Sequence, residues 1–133
     1  MEMVTRPMDE VQEWFAQSEY DLGSAEAMFD SGRYMYVVFM CHLAVEKALK
    51  GLVVHRTGKA PPRTHNLVQL AGLAQPTLTS AQTKFLGRLS AAGVSTRYPQ
   101  ELSKALKDYP ADVVRRYIAE TREVVSCLKS QVT

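Results

Sequence analysis

The chain has 133 residues, of which 46% are hydrophobic and 23% charged, and its formal net charge at neutral pH is +2. This length and composition fit one globular domain with its own core, and they exclude a disordered chain or a small disulfide-rich scaffold. The near balance of charge gives no strong signal for nucleic acid or an acidic membrane surface. No apolar run could span a bilayer. We therefore expect a cytoplasmic protein with Cys41 and Cys127 as reduced core thiols.

The sequence predicts helices throughout, because apolar residues recur at intervals of three and four and no alternating strand pattern persists. After an N-terminal extension of residues 1–8, residues 9–131 are predicted to form one helical bundle. The first helix is predicted over residues 9–31, with Asp9 as its N-cap and Gly32 as its C-cap. Its predicted buried face consists of Val11, Trp14, Phe15, Ser18, Leu22, Ala25 and Phe29.

The second predicted helix, residues 34–56, is apolar almost all round and ends near Gly58. Such a helix is typical of the centre of a bundle or of a subunit interface. Two consecutive prolines in the following segment exclude a helix and predict a loop. A short third helix is then predicted over residues 66–74, with Asn66 at its capping position.

The C-terminal part is predicted to hold two more helices and one undecided segment. A fourth helix is predicted over residues 81–92, capped by Ser80 and closed by Gly93. Residues 94–108 contain one Tyr-Pro pair, and a second Tyr-Pro pair follows directly after residue 108. The sequence of this segment favours neither helix nor loop. The last helix, residues 111–131, carries a clear apolar stripe. Together these elements predict an all-α fold, an antiparallel up-and-down bundle of four to five helices.

Polar residues interrupt the second helix in one row. His42, Glu46 and Lys50 are spaced by four and share a face, and Lys47 flanks them. Glu46 and Lys50 stand in the favoured order for an ion pair within a helix. The row can be the solvated edge of the helix, or an ion pair that fixes the register of the bundle. Alternatively, Lys47 and Lys50 present positive charge beside a cleft where a phosphate or an acidic partner binds.

Two further positions are candidates for binding a ligand. Arg97 can pair with a phosphate and Tyr98 can stack on a base, although this tyrosine can equally plug the end of the bundle. His65 can contact a ligand, or it can take part in capping the third helix. We predict no metal and no cofactor, because His42 and Glu46 supply only two ligands at helical spacing. No nucleophile has a recognisable catalytic context, so no catalytic residue is predicted.

Several short stretches, taken in order, resemble the HEPN domain family in its stand-alone prokaryotic form, over about residues 10–131. They are the Glu-Tyr-Asp-Leu stretch containing Asp21, the Gly-Arg-Tyr turn, the Glu-Lys-Ala-Leu-Lys stretch from Glu46 to Lys50, the Thr-His-Asn-Leu stretch containing His65, and the final Arg-Tyr-Pro run. The resemblance implies a helical bundle that is commonly a homodimer. It also implies a nucleotide ligand and a minimal nucleotidyltransferase as partner, in a toxin–antitoxin-like pair.

The same resemblance implies which side chains form the binding site. The residues that would contact the nucleotide or the partner are Lys47, Lys50, His65, Arg97 and Tyr98. The supporting polar groups would be Asp21, His42 and Glu46.

One motif of the family is absent from the sequence. Many HEPN members are metal-independent ribonucleases with an arginine and, four to six residues later, a histidine. In this chain eight residues separate Arg33 from His42, and eight separate Arg56 from His65. The resemblance and the absence of this motif together imply a non-catalytic module that binds a nucleotide, partners a nucleotidyltransferase, or does both. The alternatives are a ribonuclease toxin with a non-standard catalytic pair that includes His65, and a purely structural homodimer.

Overall fold

The computed structural model describes residues 7–97 and 102–132, and every regular element in these two ranges is an α-helix. The six helices are α1 (Pro7–Asp30), α2 (Tyr34–Thr57), α3 (Leu67–Ala74), α4 (Ser80–Arg97), α5 (Leu102–Asp108) and α6 (Ala111–Ser130). The predicted all-α bundle is thus confirmed, and α5 lies in the segment that the sequence left undecided. No helix in the described ranges is long and apolar enough to cross a membrane.

α2 lies at the centre of the bundle and contacts all five other described helices. Of its 24 residues, 15 are buried. The burial of so many apolar side chains supplies much of the driving force for folding, because burial of one Val, Leu or Ile contributes about 1.5–3 kcal/mol. The apolar character of α2 is therefore explained within one chain, and it does not require a subunit interface.

The two ends of the α1–α2 pair show one wrong prediction and one confirmed prediction. α1 begins at Pro7, two residues before the predicted cap Asp9. Proline suits the first helical position because its missing N–H would have no partner there. Asp9 and Glu10 then complement the positive end of the helix from its first turn. α2 ends at Gly58 as predicted, in a left-handed conformation with φ 68°, and the Gly58 N–H donates to the carbonyl of Val54.

Side chains cap both helices that follow the loop after α2. Asn66 caps α3 as predicted, because its side chain accepts a hydrogen bond from the N–H of Gln69 at 3.1 Å. The cap of α4 is Thr79 and not the predicted Ser80, which is the first helical residue. Thr79 Oγ1 accepts from the N–H of Gln82 at 3.1 Å, and the Gln82 side chain accepts from the N–H of Thr79 at 2.9 Å. These two reciprocal bonds form a capping box.

The prediction that Gly93 closes the fourth helix is wrong, since α4 continues to Arg97. Gly93 lies against α2, where an added Cβ atom would overlap the ring of His42 and stand only 2.7 Å from its Nε2. Glycine is needed at this position because two helices approach closely, and not because the chain turns.

The two cysteines differ in their surroundings, and both are free thiols. Cys41 is buried, as predicted, and burial raises the pKa of its thiol to about 11. Cys127 is only half-buried, and its Sγ donates to the carbonyl of Thr77 at 3.5 Å. The core prediction therefore holds in full only for Cys41.

Candidate functional site

A buried carboxylate on α2 is the centre of a polar cluster. The Glu46 side chain is only 5% exposed, and its Oε2 accepts a hydrogen bond from Lys50 Nζ at 3.2 Å. Its Oε1 lies 2.9 Å from His65 Nδ1 and 3.7 Å from His42 Nδ1. The predicted ion pair between Glu46 and Lys50 is therefore confirmed. We call these four residues the Glu46 cluster.

His65 reaches this cluster from the loop between α2 and α3, where 61% of its side chain is exposed. An ionised carboxylate can only accept a hydrogen bond, so the contact with Glu46 selects the tautomer that carries its proton on Nδ1. The other nitrogen, Nε2, lies on the opposite side of the imidazole ring and is directed away from the carboxylate. Because Asn66 caps α3, the imidazole of His65 is not needed for that role.

Lys50 connects the cluster to α1. Its Nζ lies 5.7 Å from the centre of the Trp14 ring, the geometry of a cation–π contact. The adjacent Gly51 allows α1 to approach this closely, since a Cβ atom there would stand 3.1 Å from the Cβ of Trp14. Trp14 is half-buried, so its side chain keeps some exposure to solvent.

Lys47 belongs to a separate ion pair between α2 and α1. Its Nζ lies 2.9 Å from Asp21 Oδ2, and the exposed fractions of the two side chains are 24% and 11%. Each of the two lysines that the sequence analysis singled out thus has a carboxylate partner of its own. The positive charge of both lysines is therefore largely balanced, and the sequence analysis had left open both an ion pair and positive charge presented to a ligand.

The predicted Arg-Tyr-Pro site is only partly within the described residues. Arg97, in the segment that the sequence left undecided, is the last residue of α4. It follows Gly93 by four residues, which places its backbone one helical turn beyond the contact between α4 and His42. Tyr98 lies outside the described residues.

Of the eight residues named from the sequence, the fold therefore brings four into direct contact around one carboxylate, with the Asp21–Lys47 pair alongside. Trp14 contacts this cluster through Lys50, although it was not among the binding residues expected from the sequence. The signal that could have found it is Gly51, because a small residue next to Lys50 indicates a close helix contact. Within the described ranges, no three His, Cys, Asp or Glu residues are arranged to hold a metal ion.

Comparisons with known proteins agree with this architecture. Residues 11–131 match the family described as HEPN domain. The crystal structure of TT1696 from Thermus thermophilus aligns with a TM-score of 0.80 at 20% identity, over 91% of this chain and 97% of that one. The crystal structure of ST0689, an archaeal HEPN homologue, aligns with a TM-score of 0.73 at 21% identity, over 93% of this chain and 98% of that one. At these identities the two structures show a shared fold alone. A search among curated proteins gives no match.

Proposed function

Since the chain belongs to the HEPN domain family, we propose that it is a non-catalytic module that binds a nucleotide at the Glu46 cluster. One observation carries the proposal: an aromatic ring, an ammonium and an imidazole from three separate segments are joined through contacts with Lys50 or Glu46. They are those of Trp14 on α1, Lys50 on α2 and His65 on the loop. A nucleotide offers matching groups, because its base stacks on aromatic faces and its phosphate accepts from cationic donors.

The ion pair of Lys50 with Glu46 is compatible with phosphate binding. An ammonium has three N–H donors, and the bond to Glu46 Oε2 uses one of them. The remaining donors can be directed at a phosphate oxygen without breaking the pair. Nε2 of His65, which is directed away from Glu46, supplies a second contact at the exposed edge of the site.

Trp14 is the only tryptophan of the chain, so its fluorescence reports on this site directly. Titration with ATP, GTP and UTP up to the millimolar range is expected to quench it saturably, after correction for absorbance with free N-acetyltryptophanamide. Lys50→Met is expected to weaken binding about tenfold, the effect of one charge-assisted hydrogen bond. His65→Gln, at a more exposed position, is expected to weaken it as well.

The matched control is Lys129→Met, which removes an exposed lysine that contacts Glu19 of α1 at 2.6 Å. The affinity of the Lys129→Met variant for each nucleotide should equal that of the unaltered chain. Thermal melts of every variant separate lost binding from lost folding. Unchanged fluorescence at millimolar nucleotide, or equal weakening by Lys129→Met and Lys50→Met, would contradict the proposal.

We also propose that the protein partner is a minimal nucleotidyltransferase, in a toxin–antitoxin-like pair. Family membership supports this proposal. Co-expression of the chain with a small nucleotidyltransferase encoded beside it is expected to give a complex that elutes as one peak in size-exclusion chromatography. Separate elution of the two proteins would argue against the pair.

A second candidate function is RNA cleavage, and the Glu46–His65 contact favours it. A buried carboxylate that orients an exposed imidazole is the arrangement in which a histidine acts as a general base. Induced expression in bacteria would then arrest growth and fragment RNA, and His65→Ala would abolish both effects. Growth arrest that persists in His65→Ala, or normal growth of the unaltered chain, would count against a ribonuclease.

A further inference from the structure

The accessible nitrogen of His65 can form a covalent bond, which is a separate property from nucleotide binding. We propose that His65 Nε2 is an acceptor for a phosphoryl group from donors with a phosphorus–nitrogen bond, the chemical class of N-phosphorylated imidazoles. The proposal does not depend on the proposed function, because it requires only the contact between His65 and Glu46.

The geometry makes one histidine and one nitrogen distinct. The chain has three histidines. His42 is 1% exposed and is covered by Gly93, which excludes a phosphoryl donor. His55 is half-buried near the end of α2, and no carboxylate of the described residues contacts it. His65 combines an imidazole that is 61% exposed with a carboxylate that is 5% exposed, and the contact holds the proton on Nδ1. The lone pair is consequently on Nε2, the nitrogen of this exposed ring that is directed away from the carboxylate.

The transfer balances without an oxidant or a reductant. The lone pair of Nε2 attacks phosphorus, a new phosphorus–nitrogen bond forms, and the bond to the donor nitrogen breaks. The electron pair of the broken bond stays on that donor nitrogen. The ring of His65 becomes positively charged while it keeps its proton on Nδ1, 2.9 Å from Glu46 Oε1. The carboxylate stabilises this developing charge, and Lys50 holds the carboxylate in place through Oε2.

Potassium phosphoramidate is the probe, since ammonia is then the leaving group. The full chain is incubated with it at neutral pH and followed by intact mass and by phosphorus NMR, which distinguishes the two ring isomers. We expect one phosphoryl group per chain, on His65, as the Nε2 isomer. His65→Gln should remove the label. We expect His65 to react roughly tenfold faster than His55, the rate equivalent of one charge-assisted hydrogen bond.

Glu46→Gln tests the role of the carboxylate, because an amide has a similar shape and a weaker acceptor. It is expected to slow labelling roughly tenfold and to give a mixture of ring isomers. Glu123→Gln, at an exposed position of α6, is the matched control and should change neither rate nor isomer. In concentrated urea the rate advantage of His65 over His55 should disappear.

The isomer formed by the unaltered chain decides the proposal even if Glu46→Gln fails to fold. The Nδ1 isomer, equal rates at His55 and His65 in the folded chain, or an unchanged rate in a folded Glu46→Gln variant would each overturn it.

Discussion

Glu46 and Asp21 are both buried carboxylates, and each lies beside a lysine of α2, at 3.2 Å and 2.9 Å respectively. Ser18, also buried, donates from its hydroxyl to the carbonyl of Ala44 at 2.6 Å. Buried polar groups are costly unless they are paired, and their pairing restricts which arrangements of the helices are stable. Because these contacts join α1, α2 and the loop at fixed positions, they fix the register of the helices around the candidate site.

Gly93 offers a direct test of the contact between α4 and α2. Gly93→Ala should lower the free energy of unfolding by about 1–3 kcal/mol, because the new methyl group overlaps the His42 ring. Gly87→Ala, in the same helix with no atom within 4 Å of an added Cβ, should raise it by about 0.5–1 kcal/mol. Urea unfolding of both variants measures the difference, and a stabilised Gly93→Ala variant would contradict the close contact.

Because the thiol of Cys41 is buried, we expect the protein to lose stability at alkaline pH. The pKa of this thiol rises from the ordinary value of 9.0 to about 11 in the folded chain. The fold favours the neutral thiol, so this contribution is fully present below pH 9 and is lost as the pH rises from 9 through 11. The rise in this pKa from 9.0 to about 11 corresponds to a loss of at most about 3 kcal/mol in the free energy of unfolding over this pH range.

Cys41→Ala removes this titration, although its cavity lowers stability at neutral pH. Between pH 9 and 11 the variant should therefore lose less unfolding free energy than the unaltered chain. Burial also raises the pKa of Tyr117, and this largest cause is common to both chains, whereas the smaller contribution from the charge of Cys41 is absent from the variant. The free energy of unfolding is measured by urea unfolding at each pH. If it falls equally with pH in both chains, Cys41 does not contribute to the alkaline loss of stability.

Single-residue features were predictable from the sequence where partners are close along one helix. The spacing of four between Glu46 and Lys50 is sufficient to predict their ion pair. The contact between Glu46 and His65 spans 19 residues and depends on the path of a loop, so no periodicity predicts it. The Lys47–Asp21 pair depends on how α1 and α2 align, which is known only after both helices are packed.

At the scale of elements, the cap of α4 provides a prediction. Thr79→Ala removes the side chain that accepts from the N–H of Gln82, and it should lower the free energy of unfolding by about 1 kcal/mol. Ser80→Ala should be nearly neutral, because Ser80 is already inside the helix. Thermal or urea unfolding distinguishes the two, and a larger loss for Ser80→Ala would mean that the helix begins one residue later.

Helix ends were predictable where local chemistry determines them. Gly58 ends α2 through its left-handed conformation, and Asn66 caps α3 through its own side chain. Gly93 misled the prediction, because a glycine that a close helix contact requires has the same sequence signature as one that ends a helix. The start of α1 was missed because Asp9 suits the first turn as well as the cap.

At the scale of the whole molecule, the homodimer implied by the family remains a prediction, and most of α2 is already buried within one chain. Apolar side chains are instead exposed on α4 and α5: Val94 is 64% exposed, Leu102 58% and Leu106 52%. We expect a second copy to cover these exposed side chains. The double variant Val94→Glu, Leu106→Glu should then be monomeric in sedimentation equilibrium, while Val68→Glu, at an equally exposed site on α3, should stay dimeric. A monomeric unaltered chain, or a dimeric double variant, would contradict the prediction.

The central position of α2 also has a consequence for the order in which the chain folds. α1 and α2 are joined by a three-residue turn and form the most extensive helix pair among the described residues. Contacts between neighbouring segments form at little entropic cost, so we expect this hairpin in the folding transition state and α6 to dock later. Folding kinetics of alanine variants should give high φ-values in α1 and α2 and values near zero in α6. During synthesis, the Glu46 carboxylate would then be in position before His65 leaves the ribosome.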